Sequence, residues 1–261
     1  MEIKIFCYVN SNIFYSGKEI NLSNDIKQDI YRNWQKISKS KDLYNGELFT
    51  INNINYSLSG LTILADSTTY DHYIYGVHNY LIEEHRCKSI AANVLLRTID
   101  GYYILAIMGN KTALSNKIKF IGGSVSNEDV FENKIILENC VIRETYEEIG
   151  VDLTDKTLVK NVSPKYIITR DNFSFFNLLF ISDLKIKSTD IIKIFENHKE
   201  KLRNKNEKSE LSNILLLKDD VYDIKKFLSN YQNNIIDYMD VFWNIQCGRR
   251  KFDNIENEFQ N

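Results

Sequence analysis

The sequence predicts an α/β fold in which a mixed sheet is covered by helices on both faces, with a small α/β domain at the N-terminal end. Apolar runs of strand length alternate along the chain with longer segments of helical periodicity. The chain has 261 residues, 43% of them hydrophobic and 12% aromatic, which is enough to bury at least one large core. No segment repeats another, so a repeat architecture is not expected.

The first segment, residues 1–88, is predicted to be the small α/β domain. Polar residues near Ser23 cap a helix whose apolar side carries Ile26, Ile30 and Trp34, and the Asn45-Gly46 pair indicates a turn. The expected elements, in order, are a strand at 3–9, a helix from Ser23 onward, strands at 47–51 and 56–64 separated by an Asn-rich corner, and a helix within 68–80.

The second segment, residues 89–261, is predicted to hold the larger domain. Its clearest local signal is Asp100-Gly101 between two apolar runs, which predicts a β-hairpin. The expected elements are strands at 90–99, 102–108, 117–121, 165–169, 173–181 and 213–217, and helices at 131–148, 188–203, 221–230 and 232–245.

Composition excludes several classes of partner. Lysine and arginine number 33 and the acidic residues 35, so the net charge of -2 gives no basic surface for DNA or for an anionic membrane. The four cysteines form no close pair, and no apolar stretch approaches the roughly 20 residues of a membrane span. We therefore expect a cytoplasmic protein whose partner is a small molecule.

The segment with the clearest chemistry is a short acidic helix after a pair of glycines. It reads Arg143, Glu144, Thr145, Tyr146, Glu147, Glu148, Ile149, Gly150 and Val151, and it is preceded by Gly122 and Gly123. Glu144, Glu147 and Glu148 stand at i, i+3 and i+4, so they project from one face of a helix. Carboxylates this close repel unless cations gather there, and Mg²⁺ prefers oxygen ligands of this kind.

The same segment carries signals for anchoring the helix. Ile135, Ile142 and Ile149 would lie along the opposite face and hold it against a core, and Gly150 occupies the usual position of a left-handed cap. The glycine pair would bring backbone carbonyls near the same ions. The competing interpretation is an ordinary exposed helix in which Arg143 and Glu147 form a surface ion pair.

This motif resembles the Nudix box. The resemblance implies a Nudix-type α/β/α sandwich and hydrolysis of a diphosphate with Mg²⁺, for which Mn²⁺ is a possible substitute. It implies that Arg143 orients the site and that Glu144 is a metal ligand and candidate general base. Glu147 and Glu148 would be the main metal ligands, and Gly123 would contribute its backbone.

The first half of the box departs from the usual pattern. The spacing from the glycines to Arg143 is about six residues longer than usual, and Ile135 stands where an acid is expected. Thr145 replaces an aliphatic residue. Glu128, Glu132 and Glu138 are the candidates to replace the missing acid.

The expanded box and the N-terminal extension are similar to those of Nudix UDP-glucose and UDP-galactose diphosphatases. The supporting strings are residues 44–49 and 68–70, together with Glu210 before an apolar strand. Glu210 is a candidate metal ligand or base, with a solvated acid as the competing interpretation. Lys111, Lys119 and Arg170 could contact phosphate, but ordinary surface placement is expected for each.

The predicted function is therefore metal-assisted hydrolysis of a nucleoside diphosphate linked to another moiety, with a UDP-sugar as one candidate substrate. A non-hydrolytic Nudix-like nucleotide sensor is the second hypothesis, because the box is altered. An mRNA-decapping enzyme is a third, disfavoured because no basic channel is evident.

Overall fold

A computed structural model describes residues 2–41, 43–79, 81–110, 112 and 114–259. In the N-terminal part the elements are β1 (Ile3–Cys7), β2 (Ser11–Glu19), α1 (Asn24–Lys41), β3 (Glu47–Ser57), β4 (Gly60–Thr69) and α2 (Tyr70–His78). The middle contains β5 (Ser89–Arg97), β6 (Tyr102–Met108), β7 (Ile118–Lys119), β8 (Ile121–Ser124), β9 (Val130–Phe131), β10 (Lys134–Ile135) and α3 (Leu137–Ile149). The C-terminal part contains β11 (Val159–Arg170), β12 (Phe175–Leu184), α4 (Ser188–Asn204), β13 (Leu211–Lys218), α5 (Val221–Tyr231) and α6 (Asp237–Gln246).

The strands are hydrogen-bonded into one mixed sheet. Its main path runs β1-β11-β12-β5-β3-β4-β2-β10-β9, while β6 joins β5, β13 and β7, and β8 pairs with β5. The pairs β5/β12 and β2/β4 are parallel, whereas β11/β12, β3/β4 and β6/β13 are antiparallel. The predicted α/β class with a mixed sheet is confirmed.

Adjacent residues of a strand point to opposite faces of the sheet. Both faces carry buried apolar side chains, so helices cover each of them. Val94 belongs to the core under α3 and α4, and its neighbour Leu95 belongs to the core under α5 and α6. Trp243 on α6 is fully buried in the second core. The resulting layers match the α/β/α arrangement expected from the sequence, and they fix α3 against β8 near the edge of β5.

Several local predictions were wrong, and one strand was missed. The helix predicted from residue 131 begins at Leu137, because Glu132 and Asn133 form a tight turn with φ of 47° and 63° between β9 and β10. The Asn-rich corner lies inside β3, where the Asn52 side chain donates to Asp66 at 2.6 Å. Strand β2 was not predicted, since its parallel partner β4 is distant in sequence.

The Asp100-Gly101 hairpin is confirmed by the pairing of Leu96 with Ile104 between β5 and β6. Strand β1 pairs with β11, and β3 meets β5, so hydrogen bonds link the segments on either side of residue 88. The domain boundary at that residue stays a prediction.

In the described ranges, no helix combines the length and the apolar character that crossing a membrane requires.

Candidate active site

Helix α3 carries the predicted acidic residues and ends where the sequence indicated. Gly150 adopts φ of 75° and its N–H donates to the carbonyl of Tyr146 at 2.9 Å. A Cβ at this glycine would lie 2.7 Å from the Cβ of His198, and the ring of His198 bonds the carbonyl of Glu147 at 2.8 Å. The last turn of the helix is thereby fixed against α4.

The predicted hydrophobic face needs one correction. Ile149 is buried and Ile142 packs against the same core, but Ile135 is not on the helix. Ile135 pairs with Ile13 of β2 and is 2% exposed. Thr145 stands where an aliphatic residue was expected, and it is buried. Its hydroxyl group is satisfied, because Oγ1 donates to the carbonyl of Val141 at 2.6 Å.

Arg143 is the centre of an ion-pair network. Its Nη2 lies 2.9 Å from Oδ2 of Asp129, and its Nη1 lies 2.7 Å from Oε1 of Glu144 and 3.2 Å from Oε2 of Glu147. Burial acts to lower the pKa of Arg143, but the hydrogen bond to Asp129 and the charge of Glu144 outweigh it and raise the pKa. The orienting role expected for Arg143 fits these contacts, and the ion pair with Glu147 from the competing interpretation is also present.

Asp129 was not among the candidates to replace the missing acid. It lies in a 3₁₀ turn, is 1% exposed, and accepts a hydrogen bond from the N–H of Ser126 at 2.9 Å. Glu128, the neighbouring candidate, has a side chain that is 79% exposed and reaches Arg143 only at 4.0 Å. Of the two neighbouring acids, it is therefore Asp129 that pairs closely with Arg143, at 2.9 Å.

Glu144 lies directly beside the glycine pair. A Cβ at Gly123 would meet Oε2 of Glu144 at 2.6 Å, so only glycine lets the carboxylate approach the strand this closely. The side chain of Glu144 is 16% exposed. Burial, together with the charge of Glu148, raises the pKa of Glu144 to about 7 in spite of Arg143. This carboxyl group can exchange a proton near neutral pH.

Glu148 is paired with a buried lysine. Its Oε1 lies 2.7 Å from Nζ of Lys119 and its Oε2 accepts the N–H of Gly122 at 3.0 Å. The Lys119 ammonium also donates to the carbonyl of Gly122. Burial acts to lower the pKa of Lys119, but the charge of Glu148 outweighs it and raises the pKa, so the lysine stays protonated. The surface placement expected for Lys119 was wrong.

The remaining candidates lie around this centre. The side chain of Glu147 is 56% exposed on the open side of α3. Glu210 is exposed. Burial raises the pKa of Glu148, and the negative charge of Glu210 raises it further, so Glu210 lies close enough to α3 to act on it electrostatically. Arg170 forms an ion pair with Asp237 at 2.9 Å, and Lys111 lies outside the described residues.

The glycine backbone differs in detail from the expectation. The carbonyl of Gly123 faces the thiol of Cys140, with Sγ at 3.7 Å, whereas the carbonyl of Gly122 faces the Lys119 ammonium. Gly122 has φ of 126° and its Cα approaches β5 too closely for a side chain. The glycine whose oxygen meets a cation is therefore Gly122.

The carboxylates provide the hard oxygen donors that Mg²⁺ or Mn²⁺ prefers. Arg143 and Lys119 are their present cationic partners. Among the described residues, no group of three or more His, Cys, Asp or Glu side chains is already arranged around one ion position. Glu144 and Glu147 share Nη1 of Arg143, at 2.7 Å and 3.2 Å, whereas Glu148 is held by Lys119 at 2.7 Å and is only 3% exposed.

No family model matches the sequence, and no curated protein matches it. Several solved structures are similar to the chain. The DR0079 protein from Deinococcus radiodurans is 12% identical, with a TM-score of 0.41 over 77% of this chain and 98% of that one. The Nudix hydrolase RenU from M. smegmatis is 10% identical, with a TM-score of 0.36 over 63% and 89%.

A third is a bifunctional NMN adenylyltransferase/ADP ribose pyrophosphatase from Francisella tularensis, complexed with AMP and a Mn ion. It is 8% identical, with a TM-score of 0.38, and the match covers 62% of this chain but only 42% of that one. Similarities of this size carry no argument about activity, so the functional proposal depends on the residues of the site.

Proposed function

We propose that this chain is a Nudix-type hydrolase that cleaves the diphosphate bond of a nucleoside diphosphate linked to another moiety, with UDP-sugars as the candidate substrate class. The observation that carries the proposal is the position of Glu144, which lies against Gly123 and beside Arg143 with its pKa raised to about 7. That pKa belongs to the metal-free protein, because a bound cation favours the ionised carboxylate. A carboxylate in this position can accept a proton from an attacking water.

The proposed ligands of Mg²⁺, or of Mn²⁺ in its place, are Glu144, Glu147 and Glu210. The Glu147 side chain is 56% exposed, and that of Glu144 is 16% exposed and lies against Gly123. The charge of Glu210 adds to burial in raising the pKa of Glu148. When bound, a divalent ion supplies charge neutralisation at the diphosphate and promotes ionisation of the attacking water.

The side chains of this protein then have separate tasks. Water attacks one phosphorus in line with the bridging oxygen, Glu144 takes the proton, and the bond from that phosphorus to the bridging oxygen breaks. The products are a nucleoside monophosphate and the phosphorylated second moiety. Arg143 holds Glu144 and Glu147 in place through contacts of 2.7 Å and 3.2 Å.

A panel of UDP-sugars, ADP-ribose, dinucleoside polyphosphates and nucleoside triphosphates with Mg²⁺ tests the proposal. We expect UDP-sugars to be converted to uridine monophosphate and sugar phosphate, measured as phosphate released by an added phosphatase. Turnover of another diphosphate would keep the hydrolase and reject the substrate class, whereas no turnover across the panel would reject the hydrolase.

A non-hydrolytic nucleotide sensor is the second candidate function. The observation that favours it is that Lys119 and Arg143 already neutralise the carboxylates of α3. Isothermal titration with the same panel separates the two hypotheses, because a sensor binds a nucleotide with Mg²⁺ and leaves it intact.

A further inference from the structure

Lys119 is the one lysine that the sheet places inside the carboxylate cluster within the part of the chain described. It ends β7, and its side chain is 9% exposed, while that of its partner Glu148 is 3% exposed. An ammonium group buried this deeply stays charged only when acceptors bind its N–H groups and an opposite charge lies beside it.

The matching groups are oxygen atoms. The ammonium donates to Oε1 of Glu148 at 2.7 Å and to the backbone carbonyl of Gly122. The N–H of Gly122 in turn donates to Oε2 of Glu148 at 3.0 Å, so both carboxylate oxygens are held against β8. One carboxylate and one backbone carbonyl are also a ligand pair that a hard divalent ion would take.

Two cations cannot share these oxygens. A Mg²⁺ ion bonded to Oε1 of Glu148 and to the Gly122 carbonyl would sit about 2.1 Å from each. The Lys119 ammonium already lies 2.7 Å from the same Oε1, so the ion and the ammonium would overlap. Like charges at such a distance also repel strongly in a buried site.

We infer that the Lys119 ammonium is a built-in cation that takes the place of a divalent ion at Glu148 and Gly122. A divalent ion bound near α3 then bonds neither to Oε1 of Glu148 nor to the Gly122 carbonyl. Lys119 is a positioning residue, because it fixes Glu148 and the glycine backbone without itself facing the open side of the site.

Mn²⁺ binding tests this inference independently of turnover. The inference would therefore hold even if the protein hydrolysed no nucleotide. In crystals of the wild-type protein soaked with Mn²⁺, we expect no anomalous peak in bonding contact with Glu148. A peak bonded to Glu148 and to the Gly122 carbonyl, with Lys119 displaced, would overturn the inference whatever the variants do.

Lys119→Met removes the charge and keeps most of the side-chain volume. We expect this variant to be destabilised without metal, because Glu148 stays buried and unpaired, and to bind one more Mn²⁺ ion per chain than the wild type by paramagnetic resonance titration. Mn²⁺ should raise its melting temperature more than that of the wild type. Unchanged Mn²⁺ stoichiometry in a folded Lys119→Met would overturn the inference.

Two further variants serve as controls. Lys117→Met changes a lysine two positions earlier, whose Nζ donates to the carbonyl of Asn233 at 2.8 Å on the surface, and it should bind Mn²⁺ as the wild type does. Lys119→Met combined with Glu148→Gln removes both buried charges, so it should recover stability and lose the additional Mn²⁺ ion. An additional ion in either control would contradict the assignment of the site to Glu148.

Discussion

At the scale of single residues, the site depends on a buried guanidinium with carboxylates on several sides. Arg143 has a side chain that is only 19% exposed, and its partner Asp129 is 1% exposed. A buried charge that loses its partner is strongly destabilising, because the remaining charge stays desolvated. Asp129 is therefore expected to position Arg143, which in turn holds Glu144 and Glu147.

Asp129→Asn tests this role. We expect the free energy of unfolding to fall by about 2 kcal/mol, since a charge-assisted hydrogen bond is weakened while Arg143 keeps its contacts with Glu144 and Glu147. Glu128→Gln is the matched control, because the Glu128 side chain is 79% exposed, and its effect should stay within about 0.5 kcal/mol. Urea titration gives both values, and equal effects of the two variants would reject the role of Asp129.

The pKa of Glu144 predicts how stability depends on pH in the metal-free protein. Burial raises this pKa from 4.5 to about 7 in the fold, so the folded state binds the proton more tightly than the unfolded state. The resulting stabilisation is complete below about pH 4.5 and is lost as the pH rises through about 7.

Urea unfolding in the presence of a chelator measures this dependence. The wild type should lose stability between about pH 5 and pH 8, and Glu144→Gln should flatten that decrease because it removes the titrating group. Glu147→Gln is the control, since Glu147 is 56% exposed and should keep the wild-type slope. A slope unaffected by Glu144→Gln would show that another group causes it.

At the scale of elements, the end of α3 determines how firmly the acidic turn is held. Gly150 has φ of 75° and contacts His198, whereas Gly101 in the β5-β6 hairpin has φ of 80° with no heavy atom within 4 Å of an added Cβ. Both glycines have a left-handed backbone that would strain any other residue. They differ because neighbouring atoms would touch an added Cβ only at Gly150.

Alanine substitutions at these two glycines separate strain from crowding. Gly101→Ala should cost about 1 kcal/mol of unfolding free energy, the strain of a left-handed alanine. Gly150→Ala should cost about 3 kcal/mol, because its Cβ also collides with His198. Chemical denaturation measures both, and a Gly150→Ala effect no larger than that of Gly101→Ala would mean that α4 moves aside freely.

Elements that depend on local signals could be predicted from the sequence. The Asp100-Gly101 hairpin and the helix end at Gly150 follow from residues with special backbone preferences. The start of α3 was placed too early because Glu132 is not typical of turns and the turn signal of Asn133 was not used, although both residues adopt positive φ. Strand β2 was missed because its pairing is not local.

The same distinction applies to the site. The shared face of Glu144, Glu147 and Glu148 follows from helical spacing alone. The partners Lys119 and Asp129 lie 29 and 14 residues away from Glu148 and Arg143, and only tertiary packing brings them together. Lys119 carried one usable signal, its position in an apolar run directly before the glycines.

At the scale of the whole molecule, the two sequence segments share a core. Phe6, Phe49 and Ile63 from the first segment belong to the same buried cluster as Ile90 and Val94 from the second. Strand β1 also pairs along its whole length with β11. Removing either part would expose apolar surface on the other.

We therefore expect the chain to unfold in one cooperative transition. In differential scanning calorimetry, the calorimetric and van't Hoff enthalpies should agree, as for a two-state unit. Two separated transitions would instead indicate that residues 1–88 and 89–261 fold independently.

In the proposed hydrolysis, Glu144 takes the proton from the water that attacks the diphosphate. The most direct measurement is kcat of Glu144→Gln against that of the wild type, with the best UDP-sugar and Mg²⁺, after circular dichroism shows that the variant is folded. We expect kcat to fall by about 10² to 10⁴, the range typical for loss of a general base. A folded Glu144→Gln that keeps the wild-type kcat would contradict this role of Glu144.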